Sequence, residues 1–172
     1  MATTYSHGLK VNGVLIGAIA NDGGAGTVLT SPGKVREDTI NVNPASNTDT
    51  EFFAQGDTSP VIIVTKKGVK EGQFDLLTFD PEVIADLTGG TTTGTGVNML
   101  YHESTEPTDV RKTLKFIDSQ GNEWLYPHVK LNADLVGMFR TGDVNVVRVQ
   151  FKVLAPTKAG VASFTYGKPA VA

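Results

Sequence analysis

The chain has 172 residues, 40% of them hydrophobic, and a formal net charge of −3. That length suits one domain, which at this size buries roughly 70% of the surface its unfolded chain exposes. Cys is absent, which excludes a disulfide scaffold, a thiolate metal site and a Cys nucleophile, and the mild acidity argues against a nucleic-acid clamp, which needs clustered Lys and Arg.

In chain order, the opening residues lack a basic segment followed by an apolar run. The longest apolar stretch, residues 14–20, is interrupted by Gly17, so neither a signal peptide nor membrane insertion is expected. Residues 14–19 predict a first strand, followed by a Gly-rich connector at 21–26 and a turn at Ser31-Pro32-Gly33. Residues 38–43 alternate, with Ile40 and Val42 on one face, and Pro44 ends them. Residues 45–59 read as a long polar loop holding two adjacent aromatics, Phe52 and Phe53. Residues 61–66 are continuously hydrophobic up to Thr65 and Lys66 and, with the strand at 73–79, predict a hairpin turning at Lys67-Gly68.

The most completely punctuated element is a helix at 81–88. Asp80 is its N-cap, Pro81 stands where no amide donor is needed, and Gly89 supplies the left-handed stop. Val83, Ile84 and Leu87 share one side, so the helix is expected to lie on a sheet with Glu82 and Asp86 toward water. Residues 89–96, rich in Gly and Thr, read as a mobile loop or bulge, and 97–102 as a strand. Residues 111–118 and 123–131 predict a hairpin about Ser119-Gln120-Gly121-Asn122. The last strand is the clearest: Val147, Val149, Phe151 and Val153 point one way, and Arg148, Gln150 and Lys152 the other. The domain thus runs over 11–156. Residues 1–10 and 157–172 read as arms, the second carrying Phe164 and Tyr166 and ordered only by a binding partner.

A search for catalytic chemistry returns nothing. His7, His102 and His128 are far apart, with no second ligand at metal spacing. Asp118-Ser119-Gln120-Gly121 begins like a calcium loop, but Val129 stands where the bidentate carboxylate belongs. Gly94-Thr95-Gly96 lacks the third glycine of a dinucleotide fingerprint. The acidic pairs Glu71 with Asp75 and Glu103 with Glu106 read as solvated surface. No enzyme activity, cofactor or metal is expected. A long aromatic loop, two arms and unpaired strand edges point instead to a structural subunit completed by copies of itself, because free edges aggregate unless they are paired.

The run Thr50-Glu51-Phe52-Phe53-Ala54-Gln55-Gly56, the strand after it, Gly68-Val69-Lys70-Glu71-Gly72-Gln73-Phe74-Asp75-Leu76, and a Pro81-Glu82 helix ending Leu87-Thr88-Gly89 resemble, in order as well as in letters, the major tail tube proteins of long-tailed bacteriophages. The likeness spans roughly residues 40–156 and departs from the family at Gln55, where Asp is usual, and at Lys70, where an aromatic is usual. The resemblance implies a mainly β fold: a β-sandwich or half-barrel with one flanking short helix, whose inner sheets join into a ring β-barrel on oligomerisation. It implies stacked hexameric rings forming the conduit for genome ejection in a virion tail, assembled in the host cytoplasm. The implied partners are further copies, the tape-measure protein, tail terminator and baseplate or distal tail proteins, with viral DNA passing unbound through the lumen.

On that view Thr50, Glu51, Phe52, Phe53 and Gln55 form an intersubunit loop and Phe164 and Tyr166 make arm contacts. Glu71, Asp75, Asp118 and Glu123 are the candidates for facing the lumen. Two other readings share the all-β pattern: a virion decoration or binding module for a receptor or glycan, and the tube of a contractile injection system.

Overall fold

The computed structural model describes residues 5–169; the outermost parts of the two arms, residues 1–4 and 170–172, lie outside them. The fold is mainly β, with antiparallel sheets and one short helix. Its centre is an eight-residue strand, β10 (Val146–Val153), whose strict alternation sends Val147, Val149 and Phe151 into the core at 1% exposure or less. Both of its edges are paired. β9 (Glu123–Val136) lies on one side and β5 (Glu71–Leu76) on the other, in registers that set Phe151 opposite Leu131 and Gly72. Gly72 is required there: an added Cβ would stand 2.7 Å from the Phe151 ring and closer still to the Asn41 carbonyl oxygen.

Outward from this trio, β8 (Val110–Ile117) and β1 (Val14–Gly17) extend one side, and β2 (Asn41–Asn43) closes the other. A seventh strand, β11 (Thr165–Gly167), pairs with the start of β9 where β10 has already ended. Among the described residues the sheet runs from β1 to β2 without closing into a barrel.

The β8–β9 hairpin turns at 119–122, as its residues predict, but β9 runs on to Val136 and carries an irregularity. The register steps from Lys112↔Val129 to Leu114↔Tyr126, so Pro127 and His128 together face Thr113. Proline has no amide to give the ladder, and a bulge is where a strand tolerates it. Thr113 fills the gap. Its hydroxyl donates to the Pro127 carbonyl at 2.8 Å and accepts from the Gly26 amide at 2.8 Å. The extra residue reverses the alternation, so Tyr126 and Trp124 fall on the same face as Val129 and Leu131. Phe116 on β8 then gathers Phe74, Tyr126 and Phe151 around it at ring-centroid distances of 5.8–6.1 Å, edge-to-face or tilted as aromatic quadrupoles prefer.

Helix α1 (Pro81–Thr88) covers part of this face with Ile84 and Leu87 buried. The Glu82 amide donates to the Asp80 carboxylate at 3.0 Å, and Gly89 closes the other end at φ 78°. Asp86 faces outward and pairs with Lys112 at 2.5 Å. Residues expected to be a mobile loop are partly a strand instead: β6 (Thr91–Thr93) pairs with β7 (Leu100–His102) across a 3-10 turn at Gly96–Asn98. The three threonines, β-branched, suit a strand, and the flanking glycines supply its turns.

Truncating Phe151 to Ala should cost about 3–5 kcal/mol, as expected for a large side chain lost from a packed core. Asp80→Ala should cost about 1 kcal/mol through the lost cap. Urea denaturation followed by far-UV circular dichroism measures both; equal effects would contradict the burial described here.

Candidate assembly interface

The segment expected as a loop at 45–59 is half of a projecting arm. β3 (Thr48–Phe52) pairs with β4 (Ile62–Lys66) in a register from Thr48↔Lys66 to Phe52↔Ile62. The expected hairpin between 61–66 and 73–79 does not form: β4 takes β3 as its partner, and β5 lies between β10 and β2. A sequence of apolar runs does not name its partners, and here β5 has two better-matched neighbours in the core. Every residue of β3 and β4 is exposed, and among the described residues no other strand or helix packs substantially against the arm.

The register sorts the arm into two faces. Thr50, Phe52, Ile62 and Val64 lie on one; Asp49, Glu51, Ile63 and Thr65 on the other. Phe52, Ile62 and Val64 are each more than half exposed, as is Phe53 at the tip, near Gln55. Apolar side chains held out on a two-stranded ribbon are an unusual exposure for a solitary domain, since an isolated hairpin is marginal in water and contiguous apolar patches mark contact sites.

The second part is a polar face on the main sheet, opposite the core. Three cross-strand rows run over β9, β10 and β5: Lys130, Lys152, Glu71; Asn132, Gln150, Gln73; Asp134, Arg148, Asp75. Charged rows flank a row of amides, with three cations balanced by three carboxylates. Arg148 grips Asp75 with two hydrogen bonds of 2.9 and 3.0 Å, which raise the guanidinium pKa. Lys152 pairs with Glu71 at 3.6 Å, and Lys130 turns to Asp109 at 3.5 Å, a carboxylate it shares with Arg111. On the same face beyond the bulge, Lys115 holds Glu123 at 2.8 Å.

Of the four residues expected to face a lumen, Glu71, Asp75 and Glu123 therefore share one face. Asp75 is not an open carboxylate: it is 3% exposed and neutralised by Arg148. Asp118 belongs elsewhere. It is 4% exposed and ties the β8–β9 turn, accepting from the amides of Gln120 and Asn122 at 2.9 and 2.8 Å and from the Asn122 side chain at 2.7 Å. Burial opposes its ionisation, but the hydrogen bonds from Asn122, Ser6 and the turn backbone prevail and hold its pKa at about 2.

The carboxyl-terminal segment, expected to need a partner, folds onto its own sheet. Phe164 stacks on Tyr126 at 5.0 Å and leans on Trp124 at 5.6 Å, Tyr166 meets Trp124 edge-on at 5.2 Å, and Lys70 sits 4.0 Å over the Phe164 ring. The aromatics it needs were set in place by the Pro127 bulge, whose reversal of alternation has no sequence signal beyond the proline. At the other end, the Lys10 amide donates to Ile117 at 2.9 Å and the Ser119 hydroxyl to the His7 carbonyl at 2.6 Å.

Between these segments, among the described residues, a depression lies over the core face, although Phe116 and Tyr126 beneath it are only 5% and 0% exposed. A cleft of roughly 1350 Å³ opens over Phe116, Trp124 and Tyr126, walled by residues 6–12 and 34–47. Tyr126 has a buried hydroxyl without a hydrogen-bond partner, and burial pushes its pKa up to about 12. His128 is 5% exposed with both ring nitrogens unpartnered, its pKa lowered by burial and by Arg111. Among the described residues no group of three or more His, Asp or Glu is arranged to hold a metal, and no helix is long and apolar enough to cross a membrane. No protein-family model matches the chain, and no curated protein matches it.

Two pH responses follow with opposite windows. Asp118, depressed from 3.8 to about 2, contributes stability that is fully present above pH 3.8 and lost as pH falls toward 2; Asp118→Asn should remove that decline. His128 favours its neutral form in the fold, so the unfolded chain takes up the proton first and stability falls as pH drops below the ordinary value of 6.5. His128→Leu should flatten the urea midpoint between about pH 7 and 5; an unchanged slope in both variants would refute these assignments.

Proposed function

We propose that this protein is the structural subunit of a phage tail tube, self-assembling into stacked hexameric rings whose lumen conducts the genome. The observation that carries the reading is the β3–β4 arm: an ordered ribbon with an apolar face that its own domain leaves in water. It contains one of the stretches that resemble the tail tube family, around Phe52 and Phe53. The outer edge of β2 offers a ladder position through which a neighbouring copy can extend the sheet, whereas β1 is already met by Thr30, which exchanges both backbone hydrogen bonds with Ile16; head-to-tail contact between different surfaces closes into rings rather than dimers.

The polar face suits the wall of such a conduit. DNA binding grows with the number of phosphates a surface neutralises, and its affinity falls steeply with salt. On β9, β10 and β5 cations and carboxylates are equal in number, with Arg148 and Lys152 paired to Asp75 and Glu71 and Lys130 sharing Asp109 with Arg111, so a passing phosphate backbone meets amides and largely neutralised charge. Tape-measure protein in the lumen, and terminator and baseplate or distal tail proteins at the ends, are the partners this role requires. The setting is a virion tail assembled in the host cytoplasm.

At raised concentration the purified protein should form rings or tubes visible by negative-stain electron microscopy. Burying Phe52 and Phe53 contributes on the order of 3–6 kcal/mol before ordering costs. The Phe52→Ser, Phe53→Ser double variant should therefore keep the circular dichroism spectrum of the parent, yet need at least about a hundredfold more protein to assemble. Normal assembly of that variant would remove the arm from the interface, and a parent that stays monomeric at every concentration would end the tube reading.

A further inference from the structure

The arm is a projecting ribbon with one apolar face, and the cleft is a depression lined by apolar side chains and lysines. We infer that the apolar face of the β3–β4 arm seats in the cleft of a second copy, over Phe116, Trp124 and Tyr126, an inference that rests on the tube reading and names the surface that receives the arm.

The cleft is large enough to take a segment of polypeptide. At roughly 1350 Å³ it exceeds the roughly 300–1,000 Å³ of ordinary small-molecule sites, and it suits a polypeptide ribbon carrying Phe52, Ile62 and Val64. Its floor is aromatic and its walls are apolar at Val35, Ile40 and Val42, which pack beside the core. Charge favours the same occupant. Residues 48–66 carry Asp49, Glu51 and Asp57 against Lys66 alone. The cleft is lined by Lys10, Lys34, Arg36, Lys67 and Lys70 against Glu37, Asp38 and Asp118; with Asp118 committed to its turn, Arg36 facing Asp143 at 3.9 Å and Lys70 lying on the Phe164 ring, Lys10, Lys34 and Lys67 remain against Glu37 and Asp38.

The arm's own cleft is closed to it. Asn47 and Lys67, the residues flanking the two strands, are themselves in the cleft wall, and five registered pairs hold the ribbon extended from that rim. Folding back would break the ladder next to its root. The occupant is therefore another molecule's arm, and because arm and cleft are different surfaces the contact is heterologous: each copy gives one arm and receives one, and the chain of contacts propagates.

The register makes the test sharp, because Ile62 and Ile63 are equally exposed neighbours on opposite faces of the arm. The protein has no cysteine, so Val64→Cys on the arm and Val11→Cys on the cleft wall each introduce a single thiol, at positions 53% and 87% exposed. Equimolar mixing of the two proteins with a short bis-maleimide should give the mixed dimer far in excess of either homodimer, read by intact mass and peptide mapping. Adding Ile62→Ser to the arm protein should abolish the mixed dimer, while adding Ile63→Ser should leave it, with circular dichroism confirming the fold of each. A mixed dimer no more abundant than the homodimers, or equal effects of the two serine variants, would overturn the inference. Tubes from the parent without the cross-link would leave the tube reading standing and remove the cleft as its receptor. The cross-link without tubes would keep arm-to-cleft docking and remove the tube.

Discussion

The register of β10 is the constraint from which the rest of the molecule is built. Because it is paired along nearly its whole length on both sides, its alternation is copied onto β9 and β5, and a shift by one residue would exchange the Val147, Val149 and Phe151 face for the Arg148, Gln150 and Lys152 face. That exchange would put two ion-paired cations into the aromatic core, so a single register is strongly selected. The same ladder thus defines both a core and a charge-balanced outer wall, and neither can be altered without the other.

The Pro127 bulge is the second decision, and it divides the sheet functionally. Up to Val129 the core face is covered by α1. Beyond the bulge the reversed alternation presents Tyr126 and Trp124 on that face, where no helix reaches. Their partial cover comes from Phe164 and Tyr166, a short tail segment stitched to β9 by three register pairs. What remains borders the cleft, where Trp124 is half-buried and Tyr126 and Phe116 are closed off at 0% and 5% exposure. A domain that carries a cleft at one place and extends an apolar ribbon into water at another suits the assembly proposed above.

How much of this was written locally in the chain differs by element. The helix was legible to the residue, because Asp80, Pro81 and Gly89 act on their own backbone and need no tertiary context. The faces of β10 and the 119–122 turn were legible for the same reason. Pairing was not: the apolar run at 61–66 reads equally well as partner to 73–79 or to 48–52, and the choice was made by β10 and β2 occupying both edges of β5. Asp75 and Asp118 look like ordinary surface acids in sequence, and only the arrival of Arg148 from β10 and the closing of the turn on Asn122 bury them. The tail at 157–169, small and polar, carries too few apolar residues to predict a docking site that the bulge creates on a distant strand.

Charge on the arm adds a reason why the proposed contact runs head to tail. Two arms laid against each other through their apolar faces would bury Phe52, Ile62 and Val64 as effectively as a cleft does, and such a contact would end in a closed dimer. Each arm, however, carries three carboxylates and one lysine, so two arms brought together meet as bodies of like net charge, although Asp49 and Glu51 lie on the face away from the contact. The cleft presents the opposite balance. Apolar burial therefore supplies attraction in either arrangement, and net charge adds a modest, salt-dependent preference for the head-to-tail one.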